Sequence, residues 1–240
     1  MNLQPQSRNL ILIFALSLFS LVLNAEDTSI YIESMSNSSN VAILGTQVSN
    51  TVEAGQVLNP GNRLQTRDSS ARIVYPDGSL VTLGKNSEVE IKNSEEDSGT
   101  KKPISISFLK TGFIHARIHH QDGDSPHFYI ETRTAVVGVR GTEFTLSSSE
   151  SEEAKIHVLE GKVAFAVDHS KIETAAQNVS TGQLANSKAG AITPPEVFNL
   201  AEYRKTLSVS HPEVHKLIYN KIKNHAEATQ TRHKSRRRHK

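Results

Sequence analysis

Three histidines, His115, His119 and His120, fall within six residues of one another. Histidine is the side chain that most often ligates a transition metal or moves a proton near neutral pH. A metal site needs converging donors, however, and the alternation of a strand through this segment sends His119 and His120 to opposite faces. His211 and His215 stand one helical turn apart, with no third donor placed beside them. Asp122-Gly-Asp124 falls short of the Asp-x-Asp-x-Asp-Gly calcium loop and reads as a hairpin turn. The carboxylate pairs Glu95-Glu96 and Glu152-Glu153 lie in polar stretches, where burial cannot tune one acid against the other. No Gly-x-Ser-x-Gly elbow occurs. These residues therefore predict no catalytic centre, no metal site and no cofactor.

Charge offers a different chemistry. Arg232, Lys234, Arg236, Arg237, Arg238 and Lys240 crowd a nine-residue terminus without a single acid. Removing these six and Arg8 takes the formal charge from +2 to −5, so an acidic body carries a basic tail. Such a run is solvated and suits a polyanion; each cation near an anionic surface contributes roughly 1 kcal/mol, screened by salt. A solvated tail without a specific partner is the alternative. Cysteine and tryptophan are absent, which removes disulfides, thiolate metal sites and indole platforms for sugars.

The elements that must position any site are strands. Ala71–Tyr75, Ile104–Phe108, Phe113–Ile118, Phe144–Leu146, Lys155–Val158 and Val163–Val167 alternate and are rich in β-branched and aromatic residues. Asn59-Pro-Gly61, Pro76-Asp-Gly78, Gly84, Gly112, Asp122-Gly123, Glu160-Gly161 and Thr181-Gly182 punctuate them with turn chemistry. The pattern suits a sandwich, a barrel or a solenoid. Thr134–Leu146 stands out because Gly138 and Gly141 interrupt a strand, which implies a bulge, a corner or a close backbone approach. Lys92–Pro103 and Ser147–Glu153 read as exposed loops, and Ser34–Asn40 as part of a flexible lead-in.

The amino terminus reads as an export signal. Arg8 precedes an apolar run at Leu10–Leu23, and Ala25 offers a small residue before Glu26-Asp27. The run is about 14 residues, against roughly 20 for a bilayer-spanning helix; an uncleaved anchor is the alternative. Export places the basic tail away from nucleic acid and near anionic lipid or envelope polymer.

The order of motifs resembles the FecR domain, named after a periplasmic regulator of ferric citrate uptake. Gly55-Gln-Val-Leu-Asn-Pro-Gly61-Asn-Arg-Leu-Gln-Thr66 is similar to its opening stretch, with Asn62 where an acid is usual. Asp77-Gly78-Ser79, a Ser87-containing turn, the strand-Gly112-strand unit, Val139-Arg-Gly141-Thr142-Glu-Phe144, Glu160-Gly161 and Gly182-Gln183 follow in order. The resemblance implies a twisted, solenoid-like all-β fold in the periplasm or envelope of a Gram-negative bacterium, with these residues, Gly138 included, as architecture. FecR regulators also carry a cytoplasmic sigma-binding segment and a βαβ module that meets a receptor. About eight residues precede the apolar run, and 192–240 is not strand-rich, so the signalling role carries over only in part.

The expected organisation is thus a signal peptide (1–25), a flexible lead-in (26–40), a FecR-like β domain (41–191), a helical extension (192–229) and a disordered basic tail (230–240). Within the extension, Ser210-His-Pro-Glu213 resembles a capping box, with Val214, Leu217, Ile218 and Ile222 on one helix face. A shorter helix is expected after Pro194-Pro195, with Val197, Leu200 and Tyr203 facing inward. Such helices would cover strand edges or dock on a partner or membrane. The expected function is binding or scaffolding without catalysis, through an envelope protein or an anionic envelope polymer or lipid. A truncated receptor-coupled regulator and a polysaccharide-active enzyme are the alternatives.

Overall fold

A computed structural model describes residues 29–45, 52–92, 95–96, 103–123 and 125–218. The signal segment, the basic tail and Ile222 of the expected second C-terminal helix lie outside the described residues.

The described strands form two sheets. Sheet I contains β1 (Ile30–Met35), β3 (Val57–Leu58), β5 (Ala71–Val74), β6 (Leu80–Leu83), β12 (Glu143–Ser148), β13 (Glu153–Glu160), β16 (Gln183–Lys188) and the two-residue β17 (Ala191–Ile192) and β18 (Glu196–Val197). Sheet II contains β2 (Val41–Leu44), β4 (Arg63–Thr66), β7 (Glu88–Ile91), β10 (Phe128–Glu131), β11 (Val136–Val139), β14 (Lys162–Ala166) and β15 (Gln177–Ser180). The 15-residue β9 (Pro103–Arg117) belongs to both, and β8 (Glu95–Glu96) pairs with its first residues.

Gly112 is where β9 changes sheets. Before it, β9 pairs with β7 and β10; from Gly112 onward it pairs with β12 and β6. Gly112 has φ +101°, and a Cβ there would sit 2.4 Å from Ser87 Cα, so no other residue fits. The sequence showed two strands with a glycine between; the structure makes them one bent strand. Across both sheets strand order follows chain order, apart from β3 and β1 at one end, so the chain passes between sheets while advancing along the stack.

Alternation explains the layers. β13 reads exposed, buried, exposed, buried along Glu153-Ala-Lys-Ile156, and every second side chain points between the sheets. Ile73, Leu83, Ile114, Phe144 and Ile156 from sheet I meet Leu64, Leu109, Phe128, Val137 and Phe165 from sheet II in one apolar cluster. Each of these ten is 2% exposed or less.

Four expectations change. The lead-in contains β1, because Ile30–Met35 alternates and fully buries Ile32. The serines there hold backbone: Asn37 N–H donates to Ser69 Oγ and Ser70 N–H to Ser36 Oγ, each within 3.0 Å. β9 and β10 pair in parallel, so residues 118–127 form a crossover between sheets instead of a hairpin. The two polar loops are shorter than expected: β8 and the start of β9 occupy part of one, while β12 runs to Ser148 and β13 starts at Glu153.

The C-terminal helices differ most. α1 (Leu200–Ser210) starts later than Pro194-Pro195 implied, because Asn199 caps it by accepting from the Ala201 and Glu202 N–H groups. Val197 lies in β18 and is 84% exposed. The second helix is described over 212–218, with Pro212 in its first turn as expected. Ser210 does not cap it; its hydroxyl donates back to the Thr206 carbonyl. Instead of an edge, the helices cover the outer face of sheet I, where Leu207, Val214 and Ile218 pack with Phe113 and Leu159.

Candidate functional site

The motif residues fall at turns and corners between strands, most of them where the chain changes sheets. Asp77 closes the β5–β6 turn: Ser79 donates to it through its N–H at 2.9 Å and its hydroxyl at 2.7 Å, and Gly78 N–H reaches the Tyr75 carbonyl. His127 Nε2 stands 3.4 Å from Asp77 Oδ2, an ion-pair distance rather than a good hydrogen bond. Burial pushes the Asp77 carboxyl up, but His127 and Ser79 outweigh it and hold the group below the usual carboxylate range.

Thr66 forms the second corner, donating to the Gly84 carbonyl at 2.6 Å and accepting from Ser87 N–H at 3.0 Å. Ser87 Oγ then takes the Phe113 N–H at 2.9 Å, beside the Gly112 bend. Gly55 and Gly61 donate N–H to the Ile32 and Ile91 carbonyls, and Gly182 to that of Val158. Asn62, which stands where an acid is usual, accepts from Asn59 N–H at 2.9 Å. Its amide oxygen does the turn-closing work without a charge.

The Val139–Phe144 signature is the third corner, carrying the chain from β11 in sheet II to β12 in sheet I. Gly141, at φ +131°, packs 2.7–2.9 Å from His120 when a Cβ is built on it. Thr142 Oγ1 donates to the Lys162 carbonyl at 2.8 Å, satisfying an acceptor where the ladder breaks. Gly161 presses against Gly141 and Thr142, and Phe144 is fully buried.

Beside this corner a cleft of about 570 Å³ opens on the outer face of sheet II. Gly138, Ala164 and Asn178, neighbours in one register row, line it, and the small size of Gly138 and Ala164 makes the depression. Pro126, His120, Ile172, Glu173, Arg140 and Lys162 also line it. Arg140 Nη1 donates to the Gly123 carbonyl.

The outer face of sheet I holds a second polar group. His115 Nε2 lies 3.0 Å from Glu143 Oε1, both about 5% exposed, and Arg117 Nε is 3.7 Å from Glu143 Oε2. His157, directly opposite Thr145 on β13, stacks on Tyr203 at 4.0 Å with the rings 15° apart. Burial, with Lys155 adding to it, pushes His157 down to about 4. Burial pushes Tyr203 up to about 12, against its 2.6 Å hydrogen bond with Thr145. His211 stacks on Phe113 at 3.7 Å, and burial lowers it also.

The histidines read as metal candidates do not meet. His115 is held by Glu143, His120 lines the cleft, and His211 covers Phe113. Among the described residues no group of three or more His, Asp or Glu could hold an ion. Sequence reasoning did not single out Lys162, Asn178, Pro126 and Ile172 as neighbours of the corner residues. Their one local signal was Gly138, a side-chain gap in a strand of valines.

No curated protein matches the chain. Two crystal structures from Parabacteroides distasonis, each described as a candidate anti-sigma factor, are similar in part. The first aligns with TM-score 0.48 and 15% identity over 61% of this chain and 64% of its own. The second aligns with TM-score 0.44 and 16% identity over 58% and 61%. The chain thus spans less than two thirds of either protein. The family model described as FecR protein matches residues 62–164, from Asn62 to the β14 residue Ala164, and over this stretch the chain is similar to a FecR domain.

Proposed function

We propose that this is an exported, non-catalytic envelope protein whose FecR-like body binds or scaffolds, with its basic tail attaching to anionic envelope polymer or lipid. One observation carries the reading: the side chains of Thr66, Asp77, Ser79, Ser87 and Thr142 all close backbone corners. Their chemistry is used for shape, which leaves surfaces as the means of action. The advance of strand order along both sheets supports a solenoid-like body, offering a long lateral face to a partner. No helix of the described residues is long and apolar enough to cross a membrane.

Fractionation of cells expressing the full chain and a 232–240 deletion tests this. The full chain should sediment with envelopes at low salt and be released by about 0.5 M salt, where charge screening lengths fall to a few ångströms. The deletion should already be soluble. Sedimentation of both forms regardless of salt would remove the tail from the proposal. A second reading, a receptor-coupled regulator, draws on the FecR match alone; co-purification of a sigma factor with the intact chain would favour it.

A further inference from the structure

We infer that the outer face of sheet I carries a self-complementary patch, centred on Tyr31 and Val74, through which two copies of this chain associate about a twofold axis. This goes beyond the proposed envelope role and does not rest on the basic tail or on what the tail binds.

The patch is one register row. Val57 of β3 stands opposite Tyr31 of β1, Tyr31 opposite Val74 of β5, and Val74 opposite Leu80 of β6. Their chain neighbours Leu58, Ile32, Ile73 and Val81 are buried in the core, so alternation turns this row outward. A sheet face that meets water ordinarily places polar side chains at such positions, whereas here four in succession are apolar. Val57 is 46% exposed and the other three are partly exposed. None of the four joins an apolar cluster of the described residues. The helices on this face sit farther along, over Phe113 and Leu159.

Charge selects what covers it. Beside the row, Glu33 at the β1 bulge and Arg72 of β5 form an ion pair at 2.8 Å, and both keep part of their surface in water. The midpoint of the row falls between β1 and β5, and the ion pair straddles the same line. A twofold axis along that line, parallel to the strands, sets Tyr31 on Val74 of the second copy and Val57 on its Leu80. The same rotation brings Glu33 to Arg72 of the second copy, so the two ion pairs join into a network of four charges. Apolar groups thus meet apolar groups and each ion meets its opposite. Two such faces pack as aligned sheets, about 10 Å apart. There is room for this, because β3 is the outermost described strand of sheet I. β6 of each copy lies over β3 of the other, and the helices, docked beyond β6, pass outside that edge and shelter it. A patch about 15 Å wide makes a small interface, so the association is weak.

Sedimentation equilibrium of the full chain tests this, between about 10 μM and 1 mM to cover weak, transient interfaces. A monomer–dimer equilibrium is expected, and deleting 232–240 should leave it unchanged. Val74→Glu should weaken it by about tenfold or more, because a charge then sits in the apolar row. Glu33→Arg and Arg72→Glu should each weaken it similarly, because like charges then face each other across the axis. An equimolar mixture of those two variants should dimerise again as a heterodimer. A contact confined within one chain cannot give that rescue. Should Val74→Glu fail to fold, the mixture alone decides. Monomer throughout the range overturns the inference, as does a dimer indifferent to Val74→Glu or a mixture that stays monomeric. Association that disappears with 232–240 belongs to the tail and overturns it too.

Discussion

Gly112 and Gly78 are both glycines with positive φ, yet they make different demands. A Cβ on Gly78 meets nothing within 4 Å, so alanine there adds only the left-handed backbone penalty, about 1–2 kcal/mol. At Gly112 the same penalty joins a collision with Ser87 backbone at 2.4 Å, in a strand that both sheets share. Gly112→Ala should cost about 3–5 kcal/mol by strain and overpacking together. Urea midpoints of the two variants check this, and equal shifts would contradict it. Asp77 adds a pH dependence of known sign. Its carboxyl is held below its unfolded value, so the stability it contributes is complete above about pH 4 and is lost as pH falls through the folded value. Asp77→Asn keeps the acceptor for Ser79 N–H but removes the charge, and should flatten the acid limb of an unfolding profile below about pH 4. An unchanged limb would place the acid sensitivity elsewhere.

The helices over sheet I depend on histidines that must stay neutral. His157 lies between Tyr203 and the β13 backbone, with Phe198 edge-on at 5.1 Å and Lys155 as the nearby charge. His211 faces Phe113, with Glu213 favouring its charged form and burial opposing it more strongly. Both folded values are depressed, so their contribution is whole above about pH 6.5 and declines toward the His157 value of about 4. Hydrogen exchange of 200–218 should therefore accelerate between pH 6.5 and 4 while β12 and β13 stay protected, and His157→Phe should suppress most of that change. Equal protection at both pH values would show that the apolar contacts of Leu207 and Val214 suffice. The helices also show what the sequence made legible. Apolar spacing gave Val214 and Ile218 as buried positions, and Pro212 gave the start of a helix, because both are local signals. Ser210 misled because its hydroxyl found the Thr206 carbonyl first, and the helix target stayed hidden because Phe113, Leu159 and His157 are far away in sequence. The turns at Asp77-Gly78 and Gly141-Thr142 were legible for the same reason that Val214 was, whereas the cleft draws on four separate segments and was not.

One apolar cluster runs between the sheets, and β9 is hydrogen-bonded into both, so neither sheet has a core of its own. That arrangement couples them. A chain that merely stacked independent turns would lose protection piece by piece, whereas a shared core and a shared strand make the loss cooperative. Phe144 sits where this coupling is tightest: it is fully buried in sheet I, directly opposite Ala116 of β9 and Val158 of β13, and it packs in the cluster that contains Val139 and Val163 of sheet II. Phe144→Ala should cost about 3–5 kcal/mol, the usual range for emptying an aromatic position in a core. The informative readout is where that loss is felt. Amides of β4 and β7, on the far side of sheet II, should lose protection by the same free energy as those of β12 and β13, because no opening short of the global one separates the two layers. If β4 and β7 keep their full protection while β12 and β13 weaken, the two ends of the stack unfold separately and β9 is a hinge between them instead of a tie.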